Sequence, residues 1–251
     1  MPGEQKGSNG GMTTTGLERN SAAYLSNQSG PPQGGDAGMK YEHEMAYWTS
    51  RFIQENGVFQ NKHYKELFLN LANEADETFL RNKIIADFGC GPRGSLSWIN
   101  VPCIKIGIDV LATNYIHAFG KTMLDHGMLY INSTESIIPI PTEYLDVAFT
   151  LNAMDHVDNF SVMAEEFLRV LKKDGLFLGS FNINEPATCC EPQTLTEDIV
   201  RRFVLHYLDV ESYRIAIKHP KYTYKFLLQN KLTETTDDNE QYILWVRGRK
   251  K

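Results

Sequence analysis

From residue 41 onward, apolar residues recur along the chain at two alternating periods. Met45, Trp48, Phe52 and Ile53 fall at helical spacing, and Gly57 closes that run. A second helix is predicted over residues 62–75, with Tyr64, Leu67, Phe68 and Leu71 as its apolar face. Residues 84–88 then form a short apolar run, rich in β-branched side chains and ended by glycine, which reads as a buried strand. Short strands and helices alternate after it. A short helix is predicted over 94–99, and strands over 104–110, 128–132, 144–152 and 176–181. Helices are predicted over 112–126, with Tyr115, Ile116, Phe119 and Met123 inward, and after Asp158 or Ser161, with Met163, Phe167, Val170 and Leu171 inward. Thr196 caps a further helix running to His206, and strands at 211–218 and 241–247 finish the chain. Alternation of this kind predicts an α/β fold with a mostly parallel sheet.

Residues 1–39 break the pattern. They hold nearly half of the glycines, with Ser, Thr, Asn and Gln, and no periodicity. A disordered N-terminal tail is expected there, followed by one domain over 40–251. Within it, 40–80 form a helical cap, 81–182 a core that binds a nucleotide-like ligand, and 183–251 a substrate-side part.

Composition narrows the function. The chain has 251 residues, 42% of them hydrophobic, enough for one full-sized core. The net charge of −6 is a poor match to a polyanion, so no nucleic-acid partner is expected. No apolar run approaches membrane-span length, and no membrane partner is expected. The four cysteines, at 90, 103, 189 and 190, form no C-x-x-C pair, and the histidines are scattered. Neither a metal site nor a disulfide framework is indicated, which suits a reducing, cytoplasmic compartment.

The chemistry concentrates around residues 83–95, where a strand carrying Asp87 runs into Gly89-Cys90-Gly91-Pro92-Arg93-Gly94-Ser95. Gly89 and Gly91 admit positive φ and let a ligand approach the backbone. A nucleotide-like ligand is expected at the carboxyl end of this strand. Read literally, Gly89, Gly91 and Gly94 match G-x-G-x-x-G, the dinucleotide fingerprint. Asp87 argues otherwise: it would repel a pyrophosphate and attract an ammonium group. Asp109, about 20 residues past Gly89, sits where an acid reaches ribose hydroxyls, or where it caps the next helix.

Asp-x-Gly-Cys-Gly-Pro resembles the first motif of class I S-adenosylmethionine-dependent methyltransferases. The segments 144–157 (Tyr-Leu-Asp-Val … Met-Asp-His-Val) and 169–175 (Arg-Val-Leu-Lys-Lys-Asp-Gly) resemble later motifs of that family in the right order. The resemblance spans about residues 41–247. It implies a three-layer αβα Rossmann-like fold, a seven-stranded sheet with an antiparallel last strand, and S-adenosylmethionine as cofactor. It implies cofactor contacts from Asp87, Gly89, Cys90, Gly91, Asp109 and Asn152. Thr134 stands where the family often has an aspartate toward adenine, with Glu135 next to it as a possible substitute. Tyr47 and Trp48 either lid the site or serve as core aromatics. Arg93 reaches the cofactor carboxylate or an outer acid. His156 is the candidate general base, or a residue that packs over the cofactor, and Glu191 lies on the substrate side. The implied reaction is methyl transfer to an O or N atom of a small molecule. Two alternatives stand beside it. One is an NAD(P)-dependent oxidoreductase, although no tyrosine is followed four residues on by lysine. The other is a non-catalytic, methyltransferase-like binding subunit.

Overall fold

The computed structural model describes residues 37–251, so most of the expected tail lies outside the described residues. Helix α1 covers Ala37–Gln54, which puts Gly38 and Met39 in the helix rather than in the tail. Helix α2 follows at His63–Ala72, then strand β1 at Ile84–Phe88, β2 at Ile104–Asp109, α3 at Ala112–Leu124, β3 at Leu129–Asn132 and β4 at Leu145–Leu151. Helix α4 spans Phe160–Val170, β5 Leu171–Ile183, α5 Glu197–Phe203, β6 Leu208–Ile217, α6 Lys225–Leu228 and β7 Tyr242–Lys250.

The seven strands form one sheet in the order β3-β2-β1-β4-β5-β7-β6, with β7 antiparallel to both neighbours. The expected architecture is therefore present. The chain runs outward through β1, β2 and β3, then returns to place β4 on the other side of β1. Phe88 lies opposite Thr150 in that pairing, so the loops leaving β1 and β4 emerge side by side. A crevice beyond the carboxyl ends of diverging parallel strands is where open α/β sheets bind ligands.

Both faces of the sheet are buried. On one, Phe160, Met163 and Phe167 of α4 and Val200 of α5 pack against Ala148, Phe177 and Phe181. On the other, Leu67, Phe68 and Leu71 of α2 join Leu96, Ile99, Phe149 and Trp245. The Phe68 and Phe149 rings meet edge-on at 4.3 Å. A third cluster joins Trp48 and Phe52 of α1 to Phe59 and to Tyr115 and Phe119 of α3.

Several local expectations need correction. Residues 94–99 form turns, not a helix. Gly94 has positive φ, and the segment closes only i→i+3 turns, from Ser97 N to the Gly94 carbonyl and from Ile99 N to the Leu96 carbonyl. Ile53 and Ile116 point to solvent. Helix α4 is capped by Asn159, whose side chain accepts from the amides of Ser161 and Val162, rather than by Asp158 or Ser161. The predicted Lys173-Asp174-Gly175 turn is a bulge inside β5, with Asp174 at φ 60° and a register shift against β4.

The basic end, which charge alone would leave as a solvated tail, is structural. Arg247 Nε donates to Glu211 (2.6 Å), and its Nη1 donates to Glu74 (2.7 Å) and to the Ala72 carbonyl near the end of α2. Arg249 reaches Glu211 and the Asp174 carbonyl, and Lys250 the Leu171 carbonyl. Charged hydrogen bonds contribute roughly 1.5–3 kcal/mol each. Arg247→Ala is therefore expected to lower the melting temperature by ~5–10 °C, read by thermal denaturation.

Candidate active site

Asp87, one residue before the end of β1, is buried, with one carboxylate oxygen accepting the Ser95 hydroxyl and the other without a partner. Burial, with the nearby Asp109 charge adding to it against the Ser95 bond, pushes its carboxyl up to about 7. An unpaired, buried carboxylate oxygen is a seat for an ammonium group. After it the chain turns sharply. The amides of Gly89 and Cys90 both donate to the Ile108 carbonyl, at 2.8 and 3.3 Å. Gly89 has φ +68° and faces the Ala153 side chain so closely that a Cβ has no room. Cys90 packs on Gly107, and burial holds its thiol protonated.

Asp109 organises the same loop. Its Oδ2 accepts from Gly91 N (3.0 Å) and its Oδ1 from Leu111 N (2.9 Å). It does not serve as the N-cap of α3, whose cap is Leu111. Each oxygen keeps a further acceptor position for a hydroxyl. Burial raises this carboxyl to about 6 despite the two amide bonds, and the Glu44 charge adds to the rise. A buried and a half-buried acid, both with raised pKa values, favour a cationic ligand.

Helix α1 lies across the loop. A Cβ on Gly91 would stand 2.8 Å from Trp48 Cζ2. Trp48 donates to Glu44 (2.7 Å) and meets Tyr47, Phe59 and Tyr115 edge-on. Trp48 is thus both a cover for the loop and a member of the α1–α3 core, whereas Tyr47 is exposed at the rim. Arg93 pairs with Glu55 and lies over the Trp48 ring, which answers to the outer-acid alternative.

Thr134 and Glu135 carry structural bonds. Thr134 Oγ1 accepts from the Ser136 and Ile137 amides and closes a turn. Glu135 accepts from Lys40 Nζ (2.8 Å), the Tyr41 hydroxyl (2.7 Å) and Asp158 N (3.2 Å), tying the start of α1 to the sheet. Both residues are thus engaged in holding local structure. Ser133, which the sequence reading passed over, is buried beside them with a hydroxyl that has no partner.

Beyond β4, Asn152 has φ 50°, donates to Asn182 (2.9 Å) and accepts the Ser180 hydroxyl. Asn182 donates to Asp155 (2.7 Å), and Trp245 Nε1 donates to Ser180 (3.1 Å). Asn152 therefore heads a network that fixes the floor of the mouth. His156 Nε2 stands 3.3 Å from Glu191 Oε1. Burial opposes a charge on His156, but the Glu191 bond and the charges of Asp155, Glu191 and Glu44 outweigh it and raise its pKa to about 9. At neutral pH this is an imidazolium, which donates and cannot take a proton. The expected general base is thus a cation in this arrangement. Its pair holds Glu191 low against burial.

A linkage test follows. A histidine raised from 6.5 to about 9 contributes stability that is complete below pH 6.5 and is lost as pH rises through 9. The melting temperature of the protein is expected to fall more between pH 6 and 9.5 than that of His156→Gln. Equal falls would show that the pair does not form.

The described residues also bring together donors that the sequence leaves scattered. Asp155, Glu185 and Glu191 gather at the mouth, with Lys218 on Glu185, and His43 meets Cys189 and Cys190. No local signal marks these meetings, because each joins segments far apart in the chain.

Comparison with known proteins agrees with this geometry. Residues 86–179, from β1 into β5, match the family model described as a methyltransferase domain. A search of curated protein sequences finds no match. Among solved structures, the cyclase SpnF is similar with TM-score 0.61 at 14% identity, covering 88% of this chain and 99% of that one. A putative sarcosine dimethylglycine methyltransferase from Galdieria sulphuraria is similar with TM-score 0.57 at 12% identity, covering 83% and 98%. The geranyl diphosphate C-methyltransferase from Streptomyces coelicolor A3(2), solved with S-adenosyl-L-homocysteine, gives 0.52 at 13%, covering 74% and 76%. The chain shares the Rossmann-like α/β fold of these structures, and its residues 86–179 match a methyltransferase domain.

Proposed function

We propose that the protein transfers a methyl group from S-adenosylmethionine to an oxygen or nitrogen atom of a small-molecule acceptor. The observation that carries this reading is Asp87, a buried acid near the end of β1 with one oxygen unpartnered. In this assignment Asp87 holds the cofactor ammonium and Asp109 the ribose hydroxyls, while Gly89 and Gly91 keep the backbone bare of side chains. The cofactor supplies a methyl group on a sulfonium. The protein supplies alignment and exclusion of water, and orientation alone is worth ~7–11 kcal/mol. Helix α1 and Trp48 shield the loop, and the Asn152 network fixes the wall opposite. His156, paired with Glu191, holds that carboxylate in place beside Asp155.

The acidic mouth favours an amine among possible acceptors. Asp155, with a buried unpartnered oxygen, and Glu191 and Glu185 line it against the two cations His156 and Lys218. One similar structure is that of a putative sarcosine dimethylglycine methyltransferase, a name that agrees with this preference. A dinucleotide cofactor fits less well, because residues 92–99 place no helix N-terminus at the glycine loop to meet a pyrophosphate. The test is transfer of labelled methyl from S-adenosylmethionine to a panel of amines, alcohols and phenols. Label in an amine is the expected result, and label in a phenol or alcohol would move the preference to oxygen. Cofactor binding without transfer to any acceptor would favour the binding-subunit alternative.

A further inference from the structure

His43 on α1 faces the segment between β5 and α5, where Cys189 and Cys190 lie. Its Nδ1 stands 3.7 Å from Cys189 Sγ and 3.8 Å from Cys190 Sγ, and the two sulfurs are 3.8 Å apart. The three donors form a nearly equilateral triangle. Tetrahedral zinc, with Zn–S of about 2.3 Å and Zn–N of about 2.0–2.1 Å, requires S···S edges of about 3.8 Å and S···N edges of about 3.6 Å. A disulfide would need the sulfurs at about 2.05 Å, so both residues are thiols here.

Adjacent residues on an extended chain point to opposite sides. Cys189 and Cys190 both face His43 because a turn bends the backbone between them. Thr188 Oγ1 accepts from Cys190 N (3.3 Å) and Glu191 N (3.0 Å), and Thr188 N donates to the Glu191 carbonyl (2.9 Å). The turn therefore presents two soft donors from consecutive residues, and α1 brings the third. His43 is exposed, Cys189 half-buried and Cys190 buried.

We propose that His43, Cys189 and Cys190 bind one thiophilic divalent cation, of which zinc is the type. Two thiolates and an imidazole are the donor set that selects such ions over magnesium or calcium. On binding, each thiol releases its proton to solvent as its sulfur–metal bond forms, and His43 binds as the imidazole through its Nδ1 lone pair. No oxidant or reductant is needed. The ion would clamp α1, which covers the glycine loop, to the segment that carries Glu191. This inference does not rest on the methyl-transfer reading.

The test uses the full chain, reduced and freed of metal, titrated with cobalt(II) and then zinc(II). One equivalent of cobalt is expected to give a thiolate charge-transfer band with the intense d–d bands of a tetrahedral site, and zinc is expected to displace it. His43→Ala, Cys189→Ser and Cys190→Ser should each weaken binding by more than the ~10–100-fold seen when groups behind a ligand are lost. Zinc at ~100-fold excess over Kd should raise the melting temperature by ~5–10 °C. His43 is exposed, so His43→Ala keeps the test open if a cysteine variant folds poorly. Absence of the thiolate band, or an affinity unchanged in His43→Ala, would overturn the site.

Discussion

Asp87→Asn is expected to weaken S-adenosylmethionine binding at least ~30-fold while making the unliganded protein more stable at neutral pH. Loss of one partner from a buried charge pair costs ~2–5 kcal/mol, which sets the first figure. The second effect follows from the raised carboxyl. Asp87 titrates near 7 in the folded chain against an ordinary carboxylate value, because burial penalises its charge. An acid of this kind binds a proton in the folded state where the unfolded chain has released it. Stability then falls as pH rises from about 4 to about 7, and the full cost persists above. Asparagine keeps the shape and an acceptor for Ser95 and carries no charge. Melting temperatures at pH 5 and pH 8 should show the variant ahead of the native protein at pH 8, with the gap narrowing or closing at pH 5. The same group predicts that cofactor affinity in the native protein falls as pH drops below about 7. An Asp87→Asn protein that binds the cofactor as tightly as native would remove Asp87 from the site.

Gly89→Ala is the second large effect, and it acts through the fold. The position has φ +68°, which costs an L-residue about 1–2 kcal/mol. The new methyl would also meet Ala153 in the loop after β4, and overpacking adds about 1–3 kcal/mol. Together these correspond to a drop of roughly 5–15 °C in melting temperature for a domain of this size. Ala153→Gly in the same chain should restore the packing part and leave the backbone part, because the two residues share one contact. A double variant no more stable than Gly89→Ala alone would show that the two loops do not meet as described. At Gly91 the obstacle is the Trp48 ring, so an alanine there acts by lifting α1 from the loop.

Strands with dense β-branched runs, such as Ile84–Phe88, were legible because a short apolar segment ending in glycine has few other uses. The placing of Asp87 and Asp109 on either side of the glycine loop was legible for a similar reason: their spacing around it is set by the βαβ geometry itself. The absent helix at 94–99 was less so. Its composition permits a helix, and the chain there closes separate turns after a left-handed Gly94 instead. Partnerships across the chain left no local trace. Glu135 reads as a free acid until Lys40, 95 residues earlier, is found on it. His156 reads as a near-neutral base until Glu191 folds over it and fixes its proton. Arg247 reads as part of a basic tail until the antiparallel pairing of β7 lays it against Glu211 and the end of α2.

The central claim is that the crevice beyond β1 binds an S-adenosyl cofactor, and ligand-induced thermal shift tests it most directly. S-adenosylmethionine, S-adenosylhomocysteine, NAD and NADP would be compared on the native protein and on Asp109→Ala. At ~100-fold excess over Kd a bound ligand adds about 2.7 kcal/mol, or roughly 5–10 °C here. The predicted result is a shift of that size with the two S-adenosyl ligands, lost in Asp109→Ala, and none with NAD or NADP. A shift with NAD or NADP alone would contradict the account.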